Sequence, residues 1–332
     1  MAPLASRLVL ASSSSSSSSH VSLLDPRTLR CALRRSASKE TPLVIKDAFT
    51  HIGSSWLSDL VASAENTHVE VLLRENNHTS SFVAPFMEAL GEIAHASDHD
   101  SSVLIVEEDL LANAPAHVQD AARLPKEICA ENKLDQLPPS LRPGTCVLFG
   151  GAGSRSSLHA DAFGWVGWNY LVEGEKTWTF IPHDAFPADE VCVRVPPAAW
   201  AGDNTSIGAG WQTAVDAYAE RSADGTSFTA RGGTQEHARA VEEAIQNHGI
   251  TVHQSEGELV IIPPECFHQV YHHTATVAIA GQYADNTNWP IVCRHVGRWV
   301  GMPALEQVVG EQQAAEWTPE RLAEVAITTT NL

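Results

Sequence analysis

With 332 residues, 43% of them hydrophobic and 18% charged, the chain can form one large domain or two modest ones and is not disordered in bulk. A net charge of -19 at pH 7 argues against a nucleic-acid backbone as the main partner over the whole surface; it suits a cationic substrate such as a basic peptide, or simply solubility. The longest apolar runs, such as 258–262 and 277–280, are strand-sized and fall short of the roughly 18 residues that cross a bilayer, so a soluble protein with no membrane contact is expected.

The first residues are compositionally odd. A run of serines fills 12–19, residues 1–21 hold the single basic side chain Arg7 and no acid, and Arg27, Arg30, Arg34 and Arg35 follow against Asp25. Ser-rich, Arg-bearing and acid-poor is the composition of an organellar transit peptide or of a low-complexity tail, and residues 1–22 are read as one or the other. Asp25-Pro26 has the form of an N-cap followed by Pro at the first helical position, opening a short helix through Arg35.

From Thr41 the sequence is globular. A strand is expected at 43–46, a helix at 54–64, strands at 68–73 and 103–107, and a helix over 81–94 with Phe82, Phe86, Leu90 and Ile93 at helical spacing. His95 and His99 fall in or beside a polar stretch and are read as a solvated loop. After Pro143-Gly144 short strands follow at 145–149, 157–161, 167–172, 176–181, 258–262, 267–272 and 276–283, the pattern of an antiparallel sandwich or barrel. A Gly- and Ser-rich insert runs from about 197 to 253, with one helix at 234–247. Residues 289–325 read as two or three amphipathic helices, a cap on the barrel or a homodimer contact. The expected organisation is a tail at 1–22, a catalytic domain at 23–287 (helical lead-in 23–140, barrel core 143–287) and a helical segment at 288–332.

Cys31, Cys129, Cys146, Cys192, Cys266 and Cys293 form no C-x-x-C pair and no disulfide pattern. They read as reduced thiols of an intracellular protein, in the cytoplasm, the nucleus or, if the transit peptide holds, an organelle.

The chemistry concentrates in the strand-rich part. His159 and Asp161 lie two apart on an expected strand, so both side chains point to one face. His268 follows a buried strand and the turn Pro263-Pro264, and a third ligand there completes a 2-His-1-carboxylate set that leaves three positions open on Fe(II). His272 and His273, beside Thr274, look like turn residues. Lys176 shares a strand face with Trp178 and Phe180, so it points inward and requires an anionic partner. Trp165 and Trp168 read as barrel walls.

Ser157-Leu-His-Ala-Asp161, Trp168-Asn-Tyr-Leu-Val-Glu-Gly-Glu-Lys-Thr-Trp178, Phe180-Ile-Pro182 and the later Gly257-to-His268 segment resemble, in order, the motifs of the JmjC family, in its small hydroxylase-like branch. The resemblance covers about 145–182 and 257–283. It implies a mainly β fold with flanking helices around a double-stranded β-helix (jelly-roll or cupin) core. The implied metal ligands are His159, Asp161 and His268, and the implied 2-oxoglutarate contacts are Lys176, Asn169 and Ser156, with Gln282 and Tyr283 as weaker candidates for the same pocket. One departure stands out: many relatives carry a co-substrate-binding Thr where this chain has Ala280. The implied activity is Fe(II)- and 2-oxoglutarate-dependent hydroxylation of a protein side chain, releasing succinate and CO2. N-methyl demethylation, or hydroxylation of RNA or a small molecule, are the enzymatic alternatives within the family, and a catalytically silent JmjC-like binding scaffold is the alternative from another functional class.

Overall fold

Short segments of alternating or uniformly apolar residues build two antiparallel sheets, seen in a computed structural model that describes residues 7–10, 22–23, 29, 32–33, 36, 41–49, 52–75, 78–96, 101–137, 142–185, 191–195, 210–222 and 228–299. In chain order the strands are β1 (Arg7–Leu10), β2 (Ser22–Leu23), β3 (Leu43–Lys46), β4 (His68–Glu75), β5 (His78–Pro85), β6 (Ser101–Glu107), β7 (Cys146–Gly150), β8 (His159–Asp161), β9 (Val166–Glu173), β10 (Glu175–Ile181), β11 (Cys192–Val195), β12 (Gly210–Thr213), β13 (Asp216–Arg221), β14 (Phe228–Arg231), β15 (Ile250–Ser255), β16 (Glu258–Ile262), β17 (Phe267–His272) and β18 (Thr276–Tyr283). The larger sheet runs β2-β1-β3-β16-β9-β18-β7-β6-β4-β5 and the smaller β11-β12-β8-β17-β10-β15, while β13 and β14 form a separate hairpin.

The two sheets face each other and bury one layer between them. Val44, Val260 and Ile262 of the larger sheet pack with Trp178, Phe180, Val252 and Val270 of the smaller. Because side chains alternate, the neighbouring residues point outward into two further cores. Leu43, Ile45, Leu259, Ile261, Tyr170 and Ile279 leave the larger sheet to meet the helices Ser54–Ser63 and Phe86–His95 through Trp56, Leu60, Phe86 and Ile93. On the other side Leu158, Ala160, Ile181 and Phe267 meet Ala238, Val241 and Ala244, one face of the helix Gln235–His248. Thr234 caps that helix, its hydroxyl accepting from His237 N at 3.1 Å. The fold is thus mainly β with flanking helices, a double-stranded β-helix core.

Two expectations change. The apolar spacing over 81–94 yields a helix only from Phe86 onward; residues up to Pro85 are strand β5, paired residue for residue with β4. Pro85 stands just outside the helix, where its missing N–H costs nothing, and Phe82 is left 47% exposed on the sheet edge. The insert at 197–253 is also not all loop, because β12 pairs with β8 and β15 with β10, so this segment supplies two strands of the smaller sheet. Nonlocal pairing of this kind leaves little trace in local composition.

Leu29, Ala32 and Leu33 are helical and buried, within the helix expected through Arg35. The serine run, His99 and everything after Trp299 lie outside the described residues, and with them the transit-peptide expectation and most of the C-terminal helices. Among the described residues no helix is long and apolar enough to cross a membrane, and Cys129, Cys146, Cys192, Cys266 and Cys293 are free thiols.

Candidate metal and co-substrate site

Leu158, just before strand β8, and Ala160 within it point outward into the core against the helix Gln235–His248, which turns His159 and Asp161 inward. On the adjacent strand β17, His268 lies directly opposite His159 in register. One potential ligand atom from each of His159, Asp161 and His268 falls within 4.8 Å of the others. His159 Nε2 is 3.6 Å from Asp161 Oδ1, and the two imidazole centroids are 4.3 Å apart.

Hydrogen bonds fix which nitrogen of each ring is presented. His159 Nδ1 lies 2.8 Å from Ser157 O, and His268 Nδ1 lies 3.0 Å from Cys266 O. A carbonyl oxygen only accepts, so each Nδ1 carries a proton and Nε2 is the nitrogen that each ring can offer to a metal. Burial, helped by the neighbouring His159, lowers the His268 pKa to about 4, so this ring is neutral at physiological pH. His268 is 3% exposed while His159 and Asp161 keep 20% of their side-chain surface, so the cluster is rigid behind and open in front. Gly167 stands beside it: a Cβ there would lie 3.0 Å from Asp161 Oδ2 and 3.1 Å from Ile262 Cβ. Two imidazole nitrogens and one carboxylate on an open face fit a divalent transition metal of the Fe(II) type.

The turn that delivers His268 is itself anchored. Glu265 adopts a positive φ of 58°, and its Oε1 is 2.8 Å from His295 Nε2 on the helix Trp289–Trp299. Burial alone would raise the pKa of Glu265, but the His295 hydrogen bond and the charges of His295, Arg294 and His183 prevail and hold it at about 2.

Further along the barrel, Lys176 points inward with Trp178 and Phe180 and is 2% exposed. Its Nζ has one hydrogen-bond partner among the described residues, Asn169 Oδ1 at a long 3.4 Å. Burial lowers its pKa to about 7. Asn169 is held in turn, since Gln254 Nε2 donates to its backbone carbonyl at 2.9 Å and Gln254 Oε1 accepts from Trp178 Nε1 at 2.8 Å. Ser156 is engaged with β17, its hydroxyl accepting from Val270 N at 3.1 Å. Ala280 sits in register between Asn169 and Cys146, offering a methyl where the resemblance leads one to expect a hydroxyl. A buried ammonium with one long contact fits a dicarboxylate such as 2-oxoglutarate, whose far carboxylate would complete its coordination.

Not every candidate lands here. Tyr283 belongs to the core under the helices Ser54–Ser63 and Phe86–His95, outside the barrel, as does Trp168, which was expected as a barrel wall. Gln282 pairs with Gly167 in register, near the metal end. Conversely, His272 is no turn residue: it ends β17, is 2% exposed and lies opposite Lys176. The alternation His268, Val270, His272 along one strand already placed it on the inner face. Gly167 had no comparable signal, because its neighbours come from other strands.

The chain is similar to several known proteins. The mouse protein described as "2-oxoglutarate and iron-dependent oxygenase JMJD4" is 26% identical over 173 residues, which cover 52% of this chain and 32% of that relative's length. The chain therefore spans about a third of that relative. The X-ray structure of E. coli ycfD aligns with a TM-score of 0.40 and 13% identity, over 87% of this chain and 68% of that one. Residues 30–288 match the family described as "Cupin-like domain", most of the chain and the whole of both sheets from β3 onward, and the chain belongs to that family.

Proposed function

We propose that this protein is an Fe(II)- and 2-oxoglutarate-dependent oxygenase that hydroxylates a side chain of a protein or peptide substrate. One observation carries the reading: a facial His159, Asp161, His268 cluster and a charge-starved buried lysine, Lys176, line the interior of one barrel. The described name of the mouse relative supports the same chemistry. When bound, iron and the oxoacid together supply the oxidation, in which O2 is consumed, 2-oxoglutarate becomes succinate and CO2, and one oxygen atom enters a substrate C–H bond.

The chain's own residues bind, orient and shield. His159, Asp161 and His268 would hold the metal by Nε2, a carboxylate oxygen and Nε2, with Ser157 O and Cys266 O fixing the rings. Lys176 would pair with the far carboxylate of the oxoacid and Asn169 would position it, while Ser156 locks the β8 lead-in to β17. Trp178 and Phe180, with ring centroids 6.1 and 6.0 Å from that of His268, exclude water from the inner side of the cluster. The net charge of -19 favours a basic peptide as substrate.

The test is to incubate reconstituted enzyme with cell lysate, 2-oxoglutarate and O2, and to compare peptide masses against a His159→Ala control. Succinate release together with a gain of one oxygen on defined peptides is expected only with the intact enzyme. Loss of a methyl group would assign demethylation instead, and no succinate above the control would overturn the oxygenase reading.

A further inference from the structure

We infer that His272 is a second donor to the far carboxylate of the co-substrate, working beside Lys176 in place of the hydroxyl that Ala280 lacks. The inference rests on the 2-oxoglutarate reading above and names a residue that this reading does not require.

Four observations converge on it. His272 lies directly opposite Lys176 across β10 and β17, on the same inward face. It is 2% exposed, and among the described residues its ring has a single hydrogen-bond partner, Thr276 Oγ1 at 2.6 Å from Nδ1. The fold makes room for this ring: at Gly150, on β7, a Cβ would collide with His272 Nδ1 and Cε1. Finally, burial first, then the charges of Lys176 and His273, hold the imidazole well below its ordinary pKa, so it is neutral.

The Thr276 hydroxyl can donate or accept, and in the tautomer the proposal requires it donates to Nδ1, so that the neutral imidazole carries its proton on Nε2 and is a donor there. Histidine placed against a lysine is costly if it serves packing alone, because two potential cations then share a dry space. An anion between them reverses the sign, since Lys176 neutralises its charge and His272 satisfies a remaining carboxylate lone pair. Ala280, in register with both Asn169 and Cys146, supplies no competing donor on the facing sheet.

The experiment is anaerobic titration of the Fe(II)-loaded protein with 2-oxoglutarate and with 2-oxopentanoate, which keeps the chelating oxoacid and lacks the far carboxylate. His272→Phe keeps a ring of similar size and removes the donor; Thr276→Val leaves the imidazole but frees its tautomer. For His272→Phe, 2-oxoglutarate should bind about tenfold or more weaker while 2-oxopentanoate is unchanged, and Thr276→Val should shift the same ligand in the same direction by less. Equal 2-oxoglutarate affinity in both variants and wild type overturns the role of His272. Parallel loss of both ligands also overturns it, by assigning the residue to support of the barrel. A wild-type protein that takes up Fe(II) but not 2-oxoglutarate removes the oxygenase reading itself, an outcome distinct from either.

Discussion

Replacing Lys176 with methionine should make the ligand-free protein more stable while removing its ability to bind 2-oxoglutarate. The ammonium is 2% exposed, has Asn169 Oδ1 at 3.4 Å as its one hydrogen-bond acceptor among the described residues, and is held by burial at a pKa of about 7 against an ordinary 10.5. Between those two values the unfolded chain binds a proton at this site that the folded chain does not, so stability rises with pH across that window. At pH 7 and below the folded state carries the full penalty, roughly 4–5 kcal/mol, and by pH 10 less than about 1 kcal/mol of it remains. Methionine matches the length of the lysine stem and needs no solvation, so Lys176→Met should recover up to that amount at pH 7. Urea unfolding of ligand-free wild type and variant at pH 6.5 and pH 10 measures it, with a gain of a few kcal/mol at the lower pH that shrinks at the higher. The same variant should bind 2-oxoglutarate at least about a hundredfold more weakly, because the anion loses its counter-charge. A variant less stable than wild type at both pH values would refute the reasoning, since it would show that Lys176 is already well paired without a ligand.

Other outcomes follow from the same geometry. Because an anion beside Lys176 restores its charged form, 2-oxoglutarate binding at pH 8 should take up close to one proton, read as a dependence of calorimetric heat on buffer ionisation enthalpy; affinity should fall as pH rises above about 7. Heats that do not vary with buffer would contradict this. Gly167→Ala places a methyl 3.0 Å from Asp161 Oδ2 and should weaken metal binding roughly tenfold to a hundredfold, measured by metal titration, with the circular dichroism of the fold retained. Asp216→Ala removes the carboxylate that pairs with Arg155, whose Nε lies 2.5 Å from Asp216 Oδ2 where the side chains are 6% and 0% exposed, and should cost about 3–5 kcal/mol by denaturant unfolding. A loss below about 1 kcal/mol would show that water or another acceptor replaces the carboxylate.

The parts of the fold that were legible in the sequence are those whose signal is local. His159 and Asp161 sit two apart on a strand whose other residues are apolar, and alternation alone turns them inward. Thr234 followed by Ala238, Val241 and Ala244 announces a capped helix with one buried face. Where the deciding partner is distant, local pattern misled. Phe82, Phe86, Leu90 and Ile93 have helical spacing, yet residues up to Pro85 gain more by pairing with β4, and only the proline marked the boundary. Strands β12 and β15 lay unnoticed in a Gly- and Ser-rich stretch because their partners, β8 and β10, lie elsewhere in the chain.

His272 escapes local reading for a different reason: a His-His-Thr run beside a turn looks solvated, whereas the ring is buried and bonded to Thr276 opposite Lys176. The same holds for its neighbours. Lys176 breaks the rule that buried charge is paired, and Gly150 and Gly167 withhold side chains where the barrel would otherwise be filled. An ordinary core would replace all four with well-packed apolar residues and become more stable. These positions share the inner face of one barrel with the metal-type cluster, so the stability forgone there falls on a barrel interior that carries an ammonium and an imidazole at one end and the His159, Asp161, His268 set at the other. A molecule carrying two carboxylates, one to chelate and one to neutralise, is the kind of ligand that returns that stability on binding.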